Sequence, residues 1–179
     1  MVSHHSPNLA KYIVFSITPY RFALPVEQVL RVIRRPASSG QPNETGLLQI
    51  DRYVIKLLDL HESLQASATD SLQNRSILVI IHNFQGHLYG IPIGTPPDLV
   101  ELSAALVHSL PELNSHSSMP ERISYAVATL QSTTVPIFLL DLQRVLTMEI
   151  PKPRLLMSST PSTAQVGEVD GGESGVGSR

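Results

Sequence analysis

An eight-residue pattern that occurs twice restricts the architecture of this chain more than any other feature. Residues 53–60 read Y-V-I-K-L-L-D-L and residues 135–142 read V-P-I-F-L-L-D-L. Both are β-branched, apolar runs that close on Leu-Leu-Asp-Leu, and each leads into a short polar stretch with helical spacing. The sequence upstream recurs as well. Residues 12–18 (Y-I-V-F-S-I-T), a turn at Pro19-Tyr20 and residues 21–26 (R-F-A-L-P-V) are matched by residues 77–82 (I-L-V-I-I-H), a turn at Gln85-Gly86 and residues 87–93 (H-L-Y-G-I-P-I). V-L-R-V-I at 29–33 then corresponds to D-L-V-E-L at 98–102. Recurrence of the same segments in the same order marks one structural unit of roughly eighty residues used twice.

The unit reads as all-β. In residues 12–17, Ile13, Phe15 and Ile17 alternate with Tyr12, Val14 and Ser16, which predicts a strand with the Ile/Phe face inward. Pro25 and Pro136 cannot donate to a ladder and belong at strand ends, edges or bulges. Residues 47–50 and 53–58 form a further pair joined at Asp51-Arg52, and 127–130 with 135–140 supply the last strands. Asp59 and Asp141 each stand where a helix N-cap is needed, and Glu62 adds capping-box spacing to the first. The second half carries an insertion, residues 103–124, with room for one helical turn around 104–110.

Composition removes whole classes of function. Cysteine is absent, which excludes disulfides, thiol catalysis and cysteine-bound metal centres. The net charge of −2 with 16% charged residues leaves no basic footprint for nucleic acid. No apolar run reaches bilayer-spanning length, and residues 1–10 lack the basic and apolar regions of a signal peptide, so a cytoplasmic protein without membrane insertion is expected. Residues 1–10 and the Ser-, Gly- and Pro-rich stretch 151–179 are expected to be disordered. Residues 11–150 form the folded body, with a first barrel over about 11–65 and a second over about 76–148.

Candidate chemistry is sparse. One Asp per lobe, Asp59 and Asp141, invites comparison with the aspartic protease dyad, which would make the chain a two-lobed hydrolase. Those enzymes follow the Asp with Ser or Thr and Gly; Leu60-His61 and Leu142-Gln143 stand here instead, and helix capping explains both carboxylates. The seven histidines form no paired-ligand spacing on one element, although His82 and His87 flank a hairpin. With no glycine-rich phosphate loop in the folded region and no nucleophile motif, neither catalysis nor a cofactor is expected. An apolar β scaffold with available edges remains, which is the profile of a binding module.

The strand order, the run F-A-L-P-V-E-Q-V-L-R-V-I at 22–33 and both Leu-Leu-Asp-Leu strands resemble the CheW-like domain of bacterial chemotaxis coupling proteins, over residues 11–148. The resemblance implies two intertwined five-stranded SH3-like β-barrels around a shared core, with short helices after the Leu-Leu-Asp-Leu strands. It implies a non-enzymatic adaptor that ties the cytoplasmic tip of a chemoreceptor to a CheA-type histidine kinase. In that family the kinase's regulatory domain is bound through barrel ends and the receptor tip in a groove between barrels. Val29 falls at a position associated with receptor contact, with Leu30 and Arg31 beside it; an ordinary core role explains Val29 equally well. The family's Asn-Leu-Arg-Gly is replaced by Gln49-Ile50-Asp51-Arg52, so the partner-contacting arginine becomes Asp51 and the turn glycine becomes Arg52. Arg52 could supply the guanidinium one place later, or the reversed charge could select a different regulator, docked through Asp51-Arg52 and the 103–124 insertion. At Gly94-Thr95-Pro96 the family has Val-Asp-x-Val, a change expected to weaken entry into the next strand.

Overall fold

A computed structural model of the chain describes residues 9–36, 39–43, 45–64, 74–83, 85–130 and 134–148. The expectations for residues 1–8 and 151–179 lie outside the described residues, while Leu9 and Ala10, expected to be disordered, open β1 and pair with β8. In chain order the strands are β1 (Leu9–Ile17), β2 (Tyr20–Pro25), β3 (Val29–Arg34), β4 (Leu47–Ile50), β5 (Tyr53–Leu57), β6 (Ile77–His82), β7 (Leu88–Ile93), β8 (Asp98–Ser103), β9 (Val107–Ser109), β10 (Ser124–Ala128) and β11 (Ile137–Leu140). Among the described residues three short helices accompany them: α1 (Leu60–Ser63), α2 (Met119–Arg122) and α3 (Leu142–Thr147). Single 3-10 turns join β2 to β3 at Val26–Gln28 and β8 to β9 at Ala104–Leu106.

Two sheets form, in the orders β8-β1-β2-β11-β10-β9 and β3-β6-β7-β5-β4. Their first five members correspond one to one, so the sequence repeat is also a structural repeat, and β9 is the extra strand. The sheets do not follow the halves of the chain. The β1–β2 hairpin of the first half lies among strands of the second, and β6–β7 lies among strands of the first. Each Leu-Leu-Asp-Leu strand runs parallel to the returning strand of the other half's hairpin: Leu57 opposite Gly90, and Phe138 opposite Phe22. The barrels are intertwined, as the resemblance implies, and the reciprocal exchange of hairpins means that neither sheet keeps to the 11–65 or 76–148 bounds.

The exchange explains a second departure from the sequence reading. Phe15 and Ile17 face the shared central core, as the alternation predicts, but Ile13 is only partly buried, whereas Val14 and Tyr12 are buried. They enter a separate core inside the six-stranded sheet with Leu102, Ile137 and Leu139. In β6, Ile77, Val79 and Ile81 join the shared core, while Leu78 and Ile80 enter the core of the five-stranded sheet with Leu48, Ile50 and Ile55. A strand between two cores has no solvent face, and so it carries apolar residues on both. The rings of Phe15, Phe22, Phe138 and Tyr20 pack with centroids 6.0–6.3 Å apart and fasten β11 to the β1–β2 hairpin.

Local chemistry sets the connections. Thr18-Pro19, a cis bond, turns β1 into β2. In the matching hairpin, Asn83 Oδ1 accepts from the Gln85 and His87 amides, and Gly86 takes the positive φ of 79° that closes the turn. The altered 94–96 stretch does not prevent β8 from pairing with β1, in register from Leu9 opposite Ser103 to Val14 opposite Asp98. The 103–124 insertion holds more structure than a single helical turn: a 3-10 turn, the strand β9, and α2, which starts with a Ser118/Glu121 capping box.

Candidate functional site: two grooves and two capped carboxylates

The residues singled out in the sequence fall at the edges of the five-stranded sheet. β3 and β4 are its outermost strands, and a groove of about 500 Å³ opens between them. Leu30 and Arg31 line one wall, and Ile50 and Asp51 line the other. Two stretches twenty residues apart in sequence thus face one cavity, with the core residues Ile55 and Ile80 as its floor. Leu30 reaches the groove because β3 bulges there: Val29 pairs with Ile81 and Arg31 with Ile80, leaving Leu30 without an opposite residue and 56% exposed.

Val29, Gln49 and Arg52 are placed otherwise. Val29 packs against the shared core. Gln49 donates to the Asp51 carbonyl at 3.2 Å. Asp51 holds the left-handed position of the β4–β5 turn, with φ of 53°, one place before the family's glycine. Arg52 lies 5.2 Å from the centroid of the Tyr53 ring and donates to its hydroxyl at 3.0 Å, so its guanidinium is engaged beside the groove rather than lining it. Arg34, missed in the sequence, joins Arg31 on the groove wall, and the cationic groups opposite Asp51 therefore come from β3. The run R-V-I-R-R at 31–35 on a predicted strand was the available signal.

A second groove, of about 350 Å³, lies where the sheets meet. The turn residues Glu27 and Gln28 flank it on one side, His82 and Asn83 at the end of β6 on another, and Leu142, Gln143 and Leu146 of α3 on a third. Tyr125 completes it. It too stands at a β-bulge, since Ser124 pairs with Leu140 and Ala126 with Leu139. Burial, then the neighbouring Tyr12 hydroxyl and the Asp141 carboxylate, push the Tyr125 phenol up to about 12. Each groove thus presents the residue of a bulge. Their charged linings differ in sign: Arg31 and Arg34 outnumber Asp51 in the first, whereas Glu27 and Asp141 line the second. No sequence pattern announced the second groove, because its walls come from separated segments. His82 borders it, yet among the described residues no cluster of His, Asp or Glu could hold a metal ion.

The repeated aspartates both cap helices. Asp59 Oδ1 accepts from the His61 amide at 3.1 Å, and both of its oxygens accept from Arg75 Nη1, at 2.7 and 2.8 Å. Asp141 Oδ1 accepts from the Gln143 and Arg144 amides, with Arg144 Nε 3.3 Å from the other oxygen. Each carboxylate is committed to its own cap and its own arginine. That differs from two carboxylates sharing a proton, and the hydrolase alternative loses its geometric basis. Arg75, given no role in the sequence reading, is the residue that neutralises Asp59.

Two barrels fastened by exchanged hairpins, with one groove between β3 and β4 and another where the sheets meet, make up the described fold. Comparison with protein families matches residues 11–149 to the CheW-like domain. The chain belongs to the CheW-like family, whose members serve as adaptors and scaffolds in chemotaxis signal transduction. Among solved structures it is similar to the scaffolding protein TtCheW from Thermoanaerobacter tengcongensis, at a TM-score of 0.61 and 16% identity, over 86% of this chain and 97% of that one. The likeness carries the fold of two SH3-like β-barrels. Comparison with curated proteins found no match. Among the described residues no helix is long and apolar enough to cross a membrane.

Proposed function

We propose that this protein is a cytoplasmic, non-enzymatic adaptor that couples a chemoreceptor tip to a CheA-type histidine kinase, without contact to nucleic acid or insertion into a membrane. The groove between β3 and β4 takes the kinase's regulatory domain, with Leu30 entering an apolar pocket on the partner and Ile50 packing behind it. The groove between the sheets takes the receptor tip, beside Val29, which shares the central core with Leu142 and Leu146. One observation carries the reading: Leu30 and Arg31 converge with Ile50 and Asp51 on one cavity although the sequence separates them. Gln49 and Arg52 act from outside the cavity, holding the turn that presents Asp51.

The test is calorimetry against the regulatory domain of the histidine kinase encoded in the same genome. The native protein binds it in the micromolar range or tighter. Leu30→Asp weakens binding at least tenfold, about 1.4 kcal/mol, because a charge replaces the apolar anchor. Asp51→Arg tightens it if this groove is tuned away from that kinase. Absence of binding by all three forms overturns the kinase assignment. The cationic wall at Arg31 and Arg34 supports a second reading, a different regulator with an acidic docking face, and binding to that class of partner alone would establish it.

A further inference from the structure

The groove between the sheets has a candidate occupant in the same chain. α3 forms one wall and ends at Thr147, so residues 149 onward, which lie outside the described residues, leave from the groove's own rim. Their sequence opens P-K-P-R-L-L-M at 151–157, and Leu155-Leu156-Met157 is the one apolar run between residue 151 and residue 179. The groove is apolar around Leu140, Leu142 and Leu146, and its charged lining is acidic; the segment is apolar with Lys152 and Arg154 as its charges. Six extended residues reach about 20 Å, against a helix α3 of about 9 Å, so the connection from 149 to 154 spans the groove with length to spare.

We propose that residues 151–157 dock in cis into this groove, Leu155 and Leu156 against its apolar floor and Lys152 and Arg154 toward Glu27 at its mouth. Asp141 is already paired with Arg144, which leaves Glu27, exposed on its turn, as the acid that meets the incoming cations. The segment's composition cannot support a core of its own, and the groove supplies the surface it lacks. Three apolar side chains set against the ordering of a whole segment give a shallow equilibrium. A partner competing for the same groove can displace such a segment, and its apparent affinity falls by the fraction of groove the segment occupies. The docking stands on the groove and the segment alone; only its regulatory consequence rests on the adaptor reading.

The chain contains no tryptophan, so Leu156→Trp in the full-length protein is a single reporter. Ser174→Trp, in the polar stretch beyond, is the solvated control. Acrylamide quenching of the Leu156→Trp form is expected to be several-fold weaker than that of the control, with blue-shifted emission, and to strengthen as salt is raised. Adding Glu27→Lys and Gln143→Lys, both at exposed positions, is expected to raise quenching to the control level. Three results overturn the proposal: quenching equal to the control in the starting protein, protection that survives both groove substitutions, or protection that appears only as protein concentration rises. The last would mean docking into a second copy. No kinase or receptor is present in the measurement, so its failure is separable from failure of the adaptor reading.

Discussion

The two copies of the repeat share strand order, pairing and the Leu-Leu-Asp-Leu signature, yet they solve the same electrostatic problem differently. Asp59 is 7% exposed and held by Arg75, whose side chain is equally buried. Asp141 is partly exposed, with an arginine from its own helix. A buried carboxylate needs a full counter-charge, whereas one that keeps contact with water needs only the helix amides. The hairpins diverge in the same way. Gly90 in β7 takes the place that Ala23 holds in β2, and a Cβ at Gly90 would stand 3.1 Å from Ile55 Cγ2. The two copies keep one pairing scheme while each fits its own neighbours. In consequence the first copy's strand end is locked, while the second's borders an open groove.

The largest expected effect tests the locked end. Arg75→Ala leaves Asp59 buried without its cation and is expected to cost about 3–5 kcal/mol in denaturant unfolding. The double change Asp59→Leu with Arg75→Met should recover most of that loss, since a desolvated pair adds little over apolar packing. A loss below 1 kcal/mol in Arg75→Ala would erase the distinction between the copies. Next, Gly90→Ala is expected to destabilise by about 1–2 kcal/mol through overpacking against Ile55 and Leu57, and the same measurement reads it. Asp141→Ala removes an exposed cap and should cost about 1 kcal/mol. Equal losses from Asp141→Ala and Arg75→Ala would show that burial does not separate the copies.

The smallest effect is spectroscopic. Tyr125 is expected to ionise near its raised value of about 12 in an absorbance titration. Because the folded phenol binds its proton more tightly than the unfolded one, this contribution to stability is complete below 10 and is lost as pH rises toward 12. Asp141→Ala should move the Tyr125 transition downward, because that carboxylate helps raise it, and Asp59→Asn should leave it in place. A shift from Asp59→Asn would connect the locked end to the groove.

What could be read in the sequence was the local part. Strand positions, both hairpins and both aspartate caps follow from periodicity and from the chemistry of turns and caps. The hairpin exchange entered only through the family resemblance, which implies intertwined barrels, because partner choice among strands is a long-range matter, settled by which cores close. One clue existed: I-L-V-I-I at 77–81 is apolar on both faces, the mark of a strand between two cores. In β1, Ser16 favoured a one-sided reading. The Ser118–Glu121 capping box was also available and unread, whereas β9, three residues long, left no period to detect. Of the first groove, Leu30, Arg31, Ile50 and Asp51 were named because the family resemblance pointed to them. Arg34 and the whole second groove depend on bulges and on the meeting of distant segments. Arg75 carried no signal, because a lone arginine in a polar stretch reads as solvated until the fold brings Asp59 to it.

The exchanged hairpins also set the order in which this chain can be finished on a ribosome. When residues 9–64 have emerged, β1 and β2 have apolar side chains on both faces and none of the second-half strands that flank the hairpin in the finished sheet; Phe22 must wait for Phe138. The five-stranded sheet has all its strands once β7 has emerged, but the six-stranded sheet cannot close until β11 has been synthesised, so the β1–β2 hairpin passes through most of synthesis as an open, adhesive ribbon. Chaperone demand and sensitivity to premature termination should therefore be concentrated in the interval before β11 appears, and fragments cut at the midpoint should aggregate rather than behave as small domains.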